Sequence, residues 1–239
     1  MWKASPRCVS GAAVSKLLQC TLSDKPCNDY DFCERLWTET KDTRMKALNT
    51  NFVQGVKGGM LHPTSFGAYT VQDAVYCQKA QESLSVAAKR EEMGPLKIFL
   101  EHESTDYKRY YYNYYEDLFD KWHIRDGKAI DLGKECQEYV DTVADVASKD
   151  DAYYMLVALI PCGRLWPWLG QQLTAARHNF GAYTDWVNSN FDPTYEGYKK
   201  LEVRVNAAFS KQEIDEKKAL SIYSKCMNGE ASFFGSVPI

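Results

Sequence analysis

Cys162 is the side chain of this 239-residue sequence best suited to nucleophilic chemistry. Helical spacing places it on one stripe with three large apolar residues: Leu165, Trp166 and Leu169. Residues on such a stripe face the interior of a bundle, and Pro161 leaves backbone groups unpaired beside the thiol. Only a few per cent of a free thiol is ionised at pH 7, so catalysis needs a nearby base. The alternative interpretation is an inert cysteine that only fills the core.

Asp73 places an acid between Tyr69 and Tyr76 on one helical stripe. Burying a carboxylate is costly unless it is paired or hydrogen-bonded. A bound polar aromatic ligand would supply such a partner, and the two tyrosines would line its site. Alternatively, Asp73 caps or pairs with another helix of the protein.

Glu230 and Phe233 repeat this combination of acid and aromatic ring near the end of the chain, at positions i and i+3. Residues at this spacing lie on one helix face. We interpret Glu230 as a candidate base for a cysteine nucleophile. Alternatively, this acid simply faces solvent.

The sequence predicts no metal or cofactor site. Four histidines are scattered along it, with none four residues from another: His62, His102, His123 and His178. This spacing disfavours the di-iron sites of helical bundles. Dinucleotide, Walker and serine-hydrolase motifs are also absent from the sequence. We therefore expect neither a metal nor a cofactor.

The elements that must position these residues are helices, because no run of alternating β-branched residues indicates a strand. We predict an all-α protein built as one helical bundle. The predicted helices cover residues 29–49, 63–91, 95–125, 131–148, 150–178, 183–190, 195–209 and 211–234.

Glycines and prolines mark the expected breaks between and within these helices. Three glycines predict a turn before the second helix: Gly55, Gly58 and Gly59. Pro63 suits the first turn of that helix, where its missing N–H costs nothing. Asp126-Gly127 closes the third helix, and Pro161 and Pro167 must disturb the fifth.

Six tyrosines cluster on the third predicted helix and cover more than one of its faces: Tyr107, Tyr110, Tyr111, Tyr112, Tyr114 and Tyr115. We interpret them as bundle packing plus a subunit interface, where aromatic residues are enriched. The expected assembly is a homo-oligomer, either a dimer or a tetramer. A role in ligand binding is the alternative.

Composition excludes two classes of partner. The formal net charge is −3 and the mean hydropathy is −0.47, so no basic field would attract nucleic acid. The longest apolar run, residues 153–162, is about half of the roughly 20 residues that a membrane-spanning helix needs. We expect no nucleic-acid partner and no membrane span.

The first 23 residues carry Lys3, Arg7 and Lys16 but no acid, and their apolar stretch is too broken for a secretory signal. We expect a cytoplasmic protein, with organelle import or secretion as alternatives. If the protein were exported, four cysteines in this region would be able to pair: Cys8, Cys20, Cys27 and Cys33.

Four blocks of the sequence together resemble the TenA or thiaminase II family. They are FVQGVKGGML with Phe66 and VQDAVY, LIPCGRLWPWLG, YTDWV, and EASFF, in an order that spans residues 52–234. The family consists of helical proteins of the haem-oxygenase-like fold that hydrolyse aminopyrimidines in thiamin salvage. The resemblance implies a TenA-like domain over residues 29–239 and an N-terminal extension over residues 1–28.

The resemblance also implies a role for each matched residue. Cys162 would be the nucleophile, Glu230 the acid/base, and Asp73 the group that holds the ring nitrogen and amino group of an aminopyrimidine. Three residues would line or stack on that ring: Tyr76, Tyr139 and Phe233. Tyr69 joins them as a binding residue from its spacing to Asp73, whereas Tyr139 rests on the resemblance alone.

Two positions depart from the family pattern, because Trp166 and Asn190 stand where the family usually has tyrosine. Both lost hydroxyls would have been polar contacts in the pocket, and such contacts discriminate strongly between substrates. We predict a thiaminase II-like hydrolase that acts on aminopyrimidines by cysteine nucleophilic catalysis, and the two departures leave its exact substrate open. The alternative is a non-catalytic binder of a flat aromatic molecule or chromophore on the same scaffold.

Overall fold

The computed structural model describes residues 31–121, 130–174 and 179–237, and all regular structure in these ranges is helical. The predicted all-α fold is therefore confirmed. None of the helices in these ranges has the length and apolar character needed to cross a membrane. Some predictions lie outside the described residues. They concern the extension 1–28 with three of its cysteines, the Asp126-Gly127 helix end, and two histidines, His123 and His178.

The described ranges contain ten α-helices and one short 3-10 turn at Gly181–Tyr183. The helices are α1 (Phe32–Glu39), α2 (Lys41–Leu48), α3 (Asn51–Lys57), α4 (Pro63–Arg90), α5 (Pro95–Lys121), α6 (Lys134–Lys149), α7 (Ala152–Thr174), α8 (Thr184–Asn190), α9 (Lys199–Ser210) and α10 (Glu216–Gly235).

The start of α4 agrees with its prediction. Pro63 occupies the first turn, and His62 Nδ1 accepts a hydrogen bond from the Thr64 amide at 3.2 Å. The cap satisfies one of the amides that have no partner within the helix.

The first predicted helix was too long, because the chain breaks at Thr40 between α1 and α2. The Thr40 hydroxyl donates to the carbonyl of Leu36 at 3.0 Å, and such a local bond competes with the helix.

The predicted glycine turn was also partly wrong, because Gly55 lies inside α3. Gly59, with a φ of 66°, makes the turn in the left-handed region that favours glycine.

The last helix, α10, begins five residues later than predicted. Gln212 has a φ of 63°, which excludes it from a helix. Asp215 then caps α10, because its Oδ1 accepts from the Lys218 amide at 2.7 Å. A helix start is therefore decided here by one left-handed residue and one side-chain cap.

The prediction that two prolines disturb the fifth helix was wrong in its extent. Helix α7 runs without a break from Ala152 to Thr174 through Pro161 and Pro167. Each proline still lacks the N–H that would bond to the carbonyl four residues earlier. Packing compensates, because α7 is apolar on most faces and both prolines are buried.

Four helices surround the centre of the bundle. Helix α7 packs against α4, α6 and α10, and α6 in turn packs against α4 and α10. Helix α5 pairs with α4 across a short connection, as antiparallel neighbours do. Residues that are far apart in sequence are thereby brought to one place between α4, α6, α7 and α10.

The described members of the tyrosine cluster divide between core and surface. Tyr107 and Tyr111 pack against the core, whereas Tyr110 and Tyr112 remain exposed. Bundle packing is thus observed for two of them. The subunit interface stays a prediction.

Candidate active site

Glu230 of α10 is a buried carboxylate that is 2% exposed. It accepts hydrogen bonds from side chains of two other helices. The Tyr139 hydroxyl donates to Oε1 at 2.9 Å, and the Cys162 thiol and the Trp166 indole N–H donate as well. Burial raises the pKa of Glu230 to about 7 although the Tyr139 bond opposes the rise, and the charge of Asp73 adds to it. Glu230 therefore gains or loses a proton near neutral pH, as acid/base catalysis requires.

Tyr139 also accepts a hydrogen bond, from the hydroxyl of Tyr76 at 2.8 Å. Their rings stack with centroids 4.6 Å apart and planes at 22°. The two hydroxyls form a chain that ends on Glu230, and cooperative polarisation strengthens such chains in a low-dielectric interior. The structure thus joins Tyr76, Tyr139 and Glu230 in one network.

The Cys162 thiol keeps its proton and donates it in a hydrogen bond to Glu230. Burial raises the pKa of this thiol well above its ordinary value, and the charge of Glu230 acts in the same direction. The thiol is therefore neutral at pH 7 and becomes a nucleophile by passing its proton to Glu230. Cys162 packs against the core as predicted. Of the five cysteines in the described ranges it alone is not fully buried, so it keeps some surface for a small molecule.

Asp73 lies on the buried stripe of α4 that its spacing predicted, with Tyr69 and Tyr76 beside it. Its negative charge raises the pKa of both Glu230 and Cys162. Two buried carboxyl groups that repel each other hold a shared proton, or favour a ligand that donates to them.

Tyr69 supplies both a flat wall and an unsatisfied polar atom. Its ring stacks on Phe233 at 4.6 Å and on Phe234 at 5.2 Å. The residue is 0% exposed, and its hydroxyl has no hydrogen-bond partner among the described residues. Leaving a buried donor unpaired costs about 1 to 3 kcal/mol. A ligand or an ordered water that bonds to this hydroxyl would recover that energy.

Trp166 retains a polar contact that its sequence position suggested was lost. Its indole N–H donates to Glu230, as noted above, and its ring lies 5.1 Å from that of Phe191 and 5.5 Å from that of Phe234. An indole donates but cannot accept. Trp166 therefore favours the ionised form of Glu230.

Asn190, the second position that departs from the family pattern, is the last residue of α8 and forms a hydrogen bond with α5. Its Oδ1 accepts from the Tyr110 hydroxyl at 3.2 Å, and its Nδ2 donates to the Trp186 carbonyl at 2.8 Å. A part in substrate binding stays a prediction for this residue.

Two residues near the thiol were missed as site residues in the sequence. The negative charges that Cys162 and Cys77 would carry raise the pKa of Tyr107, next to the larger effect of burial. Cys77 and Tyr107 stand at similar distances from the short connection between α4 and α5. Antiparallel pairing of those two helices was the signal that could have placed them together.

Two other features of the described residues lie away from this site. A surface groove of about 670 Å³ runs along the start of α4 and is lined by Pro63, Thr64, Gly67, Ala68, Val71, Gln72, Ile130, Asp131 and Gly133. On α5, the ligand atoms of His102, Glu103 and Asp106 fall within 4.8 Å of one another. Both carboxylates already have cationic partners, because Lys200 lies 2.7 Å from Glu103 and Arg109 lies 3.3 Å from Asp106.

Comparison with known proteins identifies relatives of this chain. Residues 41–237 match the family model described as TENA/THI-4/PQQC family. The thiamine biosynthesis multifunctional protein ThiED of Corynebacterium efficiens is 23% identical over 206 residues. The match covers 85% of this chain but 28% of that protein.

Solved structures show the same fold at low sequence identity. A TenA family transcription regulator from Silicibacter sp. TM1040 aligns with a TM-score of 0.74 and 17% identity over 86% of this chain and 95% of that one. A putative TenA-like thiaminase from Sulfolobus solfataricus aligns with a TM-score of 0.64 and 18% identity, over 85% of this chain and 94% of that one. Haem oxygenase-1 from Synechocystis sp. PCC6803 aligns with a TM-score of 0.53 and 14% identity, over 87% of this chain and 92% of that one. The predicted haem-oxygenase-like fold is confirmed.

Proposed function

This chain belongs to the TENA/THI-4/PQQC family, and we propose that it is a thiaminase II-like hydrolase that releases ammonia from aminopyrimidines in thiamin salvage. A thiamin-related role is supported by the family and by the names of two relatives, the ThiED protein and the putative thiaminase. The hydrolysis and its cysteine chemistry are the finer part of the proposal. The observation that carries it is the hydrogen bond from the Cys162 thiol to the buried Glu230.

In the first step Glu230 takes the thiol proton, and the sulfur of Cys162 forms a bond to the ring carbon that carries the amino group. The electron pair displaced from the ring moves onto the adjacent protonated nitrogen. Asp73 holds that nitrogen and the amino group through a bidentate contact, which favours the charged form of the ring. The carboxylate thereby makes the ring more electrophilic while it orients it.

In the second step Glu230 returns its proton to the amino group, the carbon–nitrogen bond breaks and ammonia leaves. Glu230 then takes a proton from water, and the hydroxide adds to the same carbon. The carbon–sulfur bond breaks, and the thiolate recovers its proton from Glu230. One carboxyl group with a pKa of about 7 suits both directions of transfer.

The aromatic residues orient the flat ring for this chemistry. Tyr69 and Phe233 stack face to face on one side, and Tyr76 and Tyr139 stack together beside Glu230. Flat aromatic surfaces prefer offset stacking on other rings. The unpaired hydroxyl of Tyr69 is available to a ring acceptor.

A non-catalytic binder of a flat aromatic molecule is the second candidate. The unpaired Tyr69 hydroxyl between stacked rings favours it, because that group calls for a ligand and not for a reaction. The presence of Cys162 beside a base favours the enzyme, since a binder has no use for a nucleophile.

One experiment separates the two candidates. Purified protein is incubated with a series of aminopyrimidines while ammonia release is followed, and the same preparation is examined by visible absorption and mass spectrometry. Ammonia release by a colourless protein supports the hydrolase. A co-purifying chromophore without ammonia release supports the binder and contradicts the hydrolase.

A further inference from the structure

Gly229 lies in the interior of α10, one residue before Glu230. Glycine is less favourable than alanine at such a position, because it loses more conformational freedom on folding. The backbone there does not need glycine's freedom, since the described glycines with positive φ are Gly59 and Gly181. Another physical reason must account for the residue.

That reason is the ring of Tyr139 on α6. A Cβ atom added to Gly229 would lie 2.5 Å from Tyr139 Cδ2 and 2.6 Å from Cγ. Carbon atoms normally approach to about 3.5 Å. The ring of Tyr139 can therefore rest on the backbone of α10 only because residue 229 has no side chain.

The position of this ring decides where its hydroxyl lies. That hydroxyl donates to Glu230 Oε1 at 2.9 Å and accepts from Tyr76 at 2.8 Å. The contact with α10 and the hydrogen bond to α10 are made by opposite ends of one rigid side chain. A shift of about 1 Å at the ring, as a normal carbon contact would require, is therefore transmitted to the hydroxyl.

We infer that Gly229 is a positioning residue, which opens the surface of α10 to the Tyr139 ring and so holds the Tyr139 hydroxyl on Glu230. The importance of this contact for catalysis rests on the proposed function. The contact itself does not, because it exists in the protein without substrate.

The test measures the protonation of Glu230 directly, by carboxyl ¹³C NMR titration with Glu230→Gln to assign the signal. Because the Tyr139 bond favours the ionised form, weakening it in Gly229→Ala should raise the pKa of Glu230 by about one unit. The titratable groups that face Glu230 from other helices are unchanged in this variant: Tyr69, Asp73, Tyr76, Cys136, Tyr139 and Cys162.

A double variant tests whether Gly229 acts through Tyr139. Tyr139→Phe removes the hydroxyl and should raise the pKa of Glu230 by a similar amount. Adding Gly229→Ala to Tyr139→Phe should then produce no further rise. Gly235→Ala on the same helix is the matched control, because its added Cβ would lie 3.8 Å from Thr50 and make an ordinary contact. No shift is expected there.

Stability decides the outcome if Gly229→Ala does not fold. Tyr139→Ala keeps only the Cβ atom, which would lie 3.1 Å from the added one, so Gly229→Ala should lower stability less in that background than in the wild type. Failure of this rescue overturns the inference, as does a folded Gly229→Ala whose Glu230 titrates as in the wild type. A protein that shows the pKa shift but hydrolyses no aminopyrimidine contradicts the proposed function and leaves the inference standing.

Discussion

The Cys162 thiol on α7 donates a hydrogen bond to the Glu230 carboxylate on α10, and both groups lie in the centre of the bundle. The charge of Glu230 raises the pKa of the thiol, whereas the hydrogen bond from the thiol lowers the pKa of Glu230. One proton shared between them is the stable arrangement. The pair therefore titrates as a unit, and its apparent pKa values belong to both residues.

Replacing the nucleophile is expected to stop turnover without unfolding the protein. Cys162→Ser should lower the rate of ammonia release by about 10³-fold or more, because a hydroxyl gives up its proton to Glu230 far less readily than a thiol. The side chain changes little in size, so the free energy of unfolding should fall by less than about 1 kcal/mol. Steady-state kinetics and thermal unfolding measure the two effects.

The control for this variant is Cys33→Ser, at a buried free thiol that contacts Glu202 instead of the candidate site. It should keep wild-type turnover. If Cys162→Ser still hydrolyses the substrate at the wild-type rate, Cys162 is not the nucleophile.

Glu230 makes the stability of the protein depend on pH in a defined direction. Its pKa rises from an ordinary 4.5 to about 7 on folding, so the native state holds its proton more tightly than the unfolded state. The contribution is complete below about pH 4.5 and is lost as pH rises through about 7. Its size is about 3 kcal/mol by linkage.

Glu230→Gln should remove this dependence, because its amide does not ionise. The difference in free energy of unfolding, variant minus wild type, should therefore increase by up to about 3 kcal/mol between pH 5 and pH 8. Urea unfolding at both pH values measures it. The exposed Glu39→Gln serves as control, and equal pH dependence in wild type and Glu230→Gln would exclude the raised pKa.

Asp73 is expected to hold the substrate through two charge-assisted hydrogen bonds. Asp73→Asn keeps the shape but exchanges one acceptor for a donor, which leaves a buried ligand group unpaired at a cost of roughly 1 to 3 kcal/mol. Affinity for an aminopyrimidine should fall about 5- to 150-fold by calorimetry. The exposed Asp141→Asn should bind as the wild type does. Unchanged affinity in Asp73→Asn would show that the ring is held elsewhere.

Tyr69→Phe should have opposite effects on the free and the ligand-bound protein. Without ligand, removing an unpaired buried hydroxyl should leave stability unchanged or raise it by about 1 kcal/mol. With ligand, the stabilisation on binding should fall, because the hydroxyl can no longer bond to the ring. Thermal unfolding with and without an aminopyrimidine measures both quantities.

Tyr223→Phe is the matched control for that prediction. The Tyr223 hydroxyl is likewise buried with no hydrogen-bond partner in the described ranges, but its charged neighbours are Arg164, Glu202 and Arg44. It should show the same change without ligand and full stabilisation by ligand. A Tyr69→Phe variant that behaves in the same way would remove Tyr69 from the binding site.

Periodicity and local chemistry in the sequence alone determined the helices and the faces of their residues. Pro63 predicts the start of α4, and the stripe of Tyr69, Asp73 and Tyr76 is buried as its spacing predicts. These features depend on neighbours within one or two helical turns. Only the resemblance to a known family predicted that residues on separate helices form one site.

Only the tertiary structure decided which atoms meet between the helices. Spacing along one helix says nothing about its rotation and depth against another, which the packing of the whole core sets. For that reason the donation of the Trp166 indole to Glu230, the position of Tyr107 beside the thiol and the fit of Tyr139 over Gly229 were not predictable. The candidate site consists of such contacts, because its groups come from α4, α5, α6, α7 and α10.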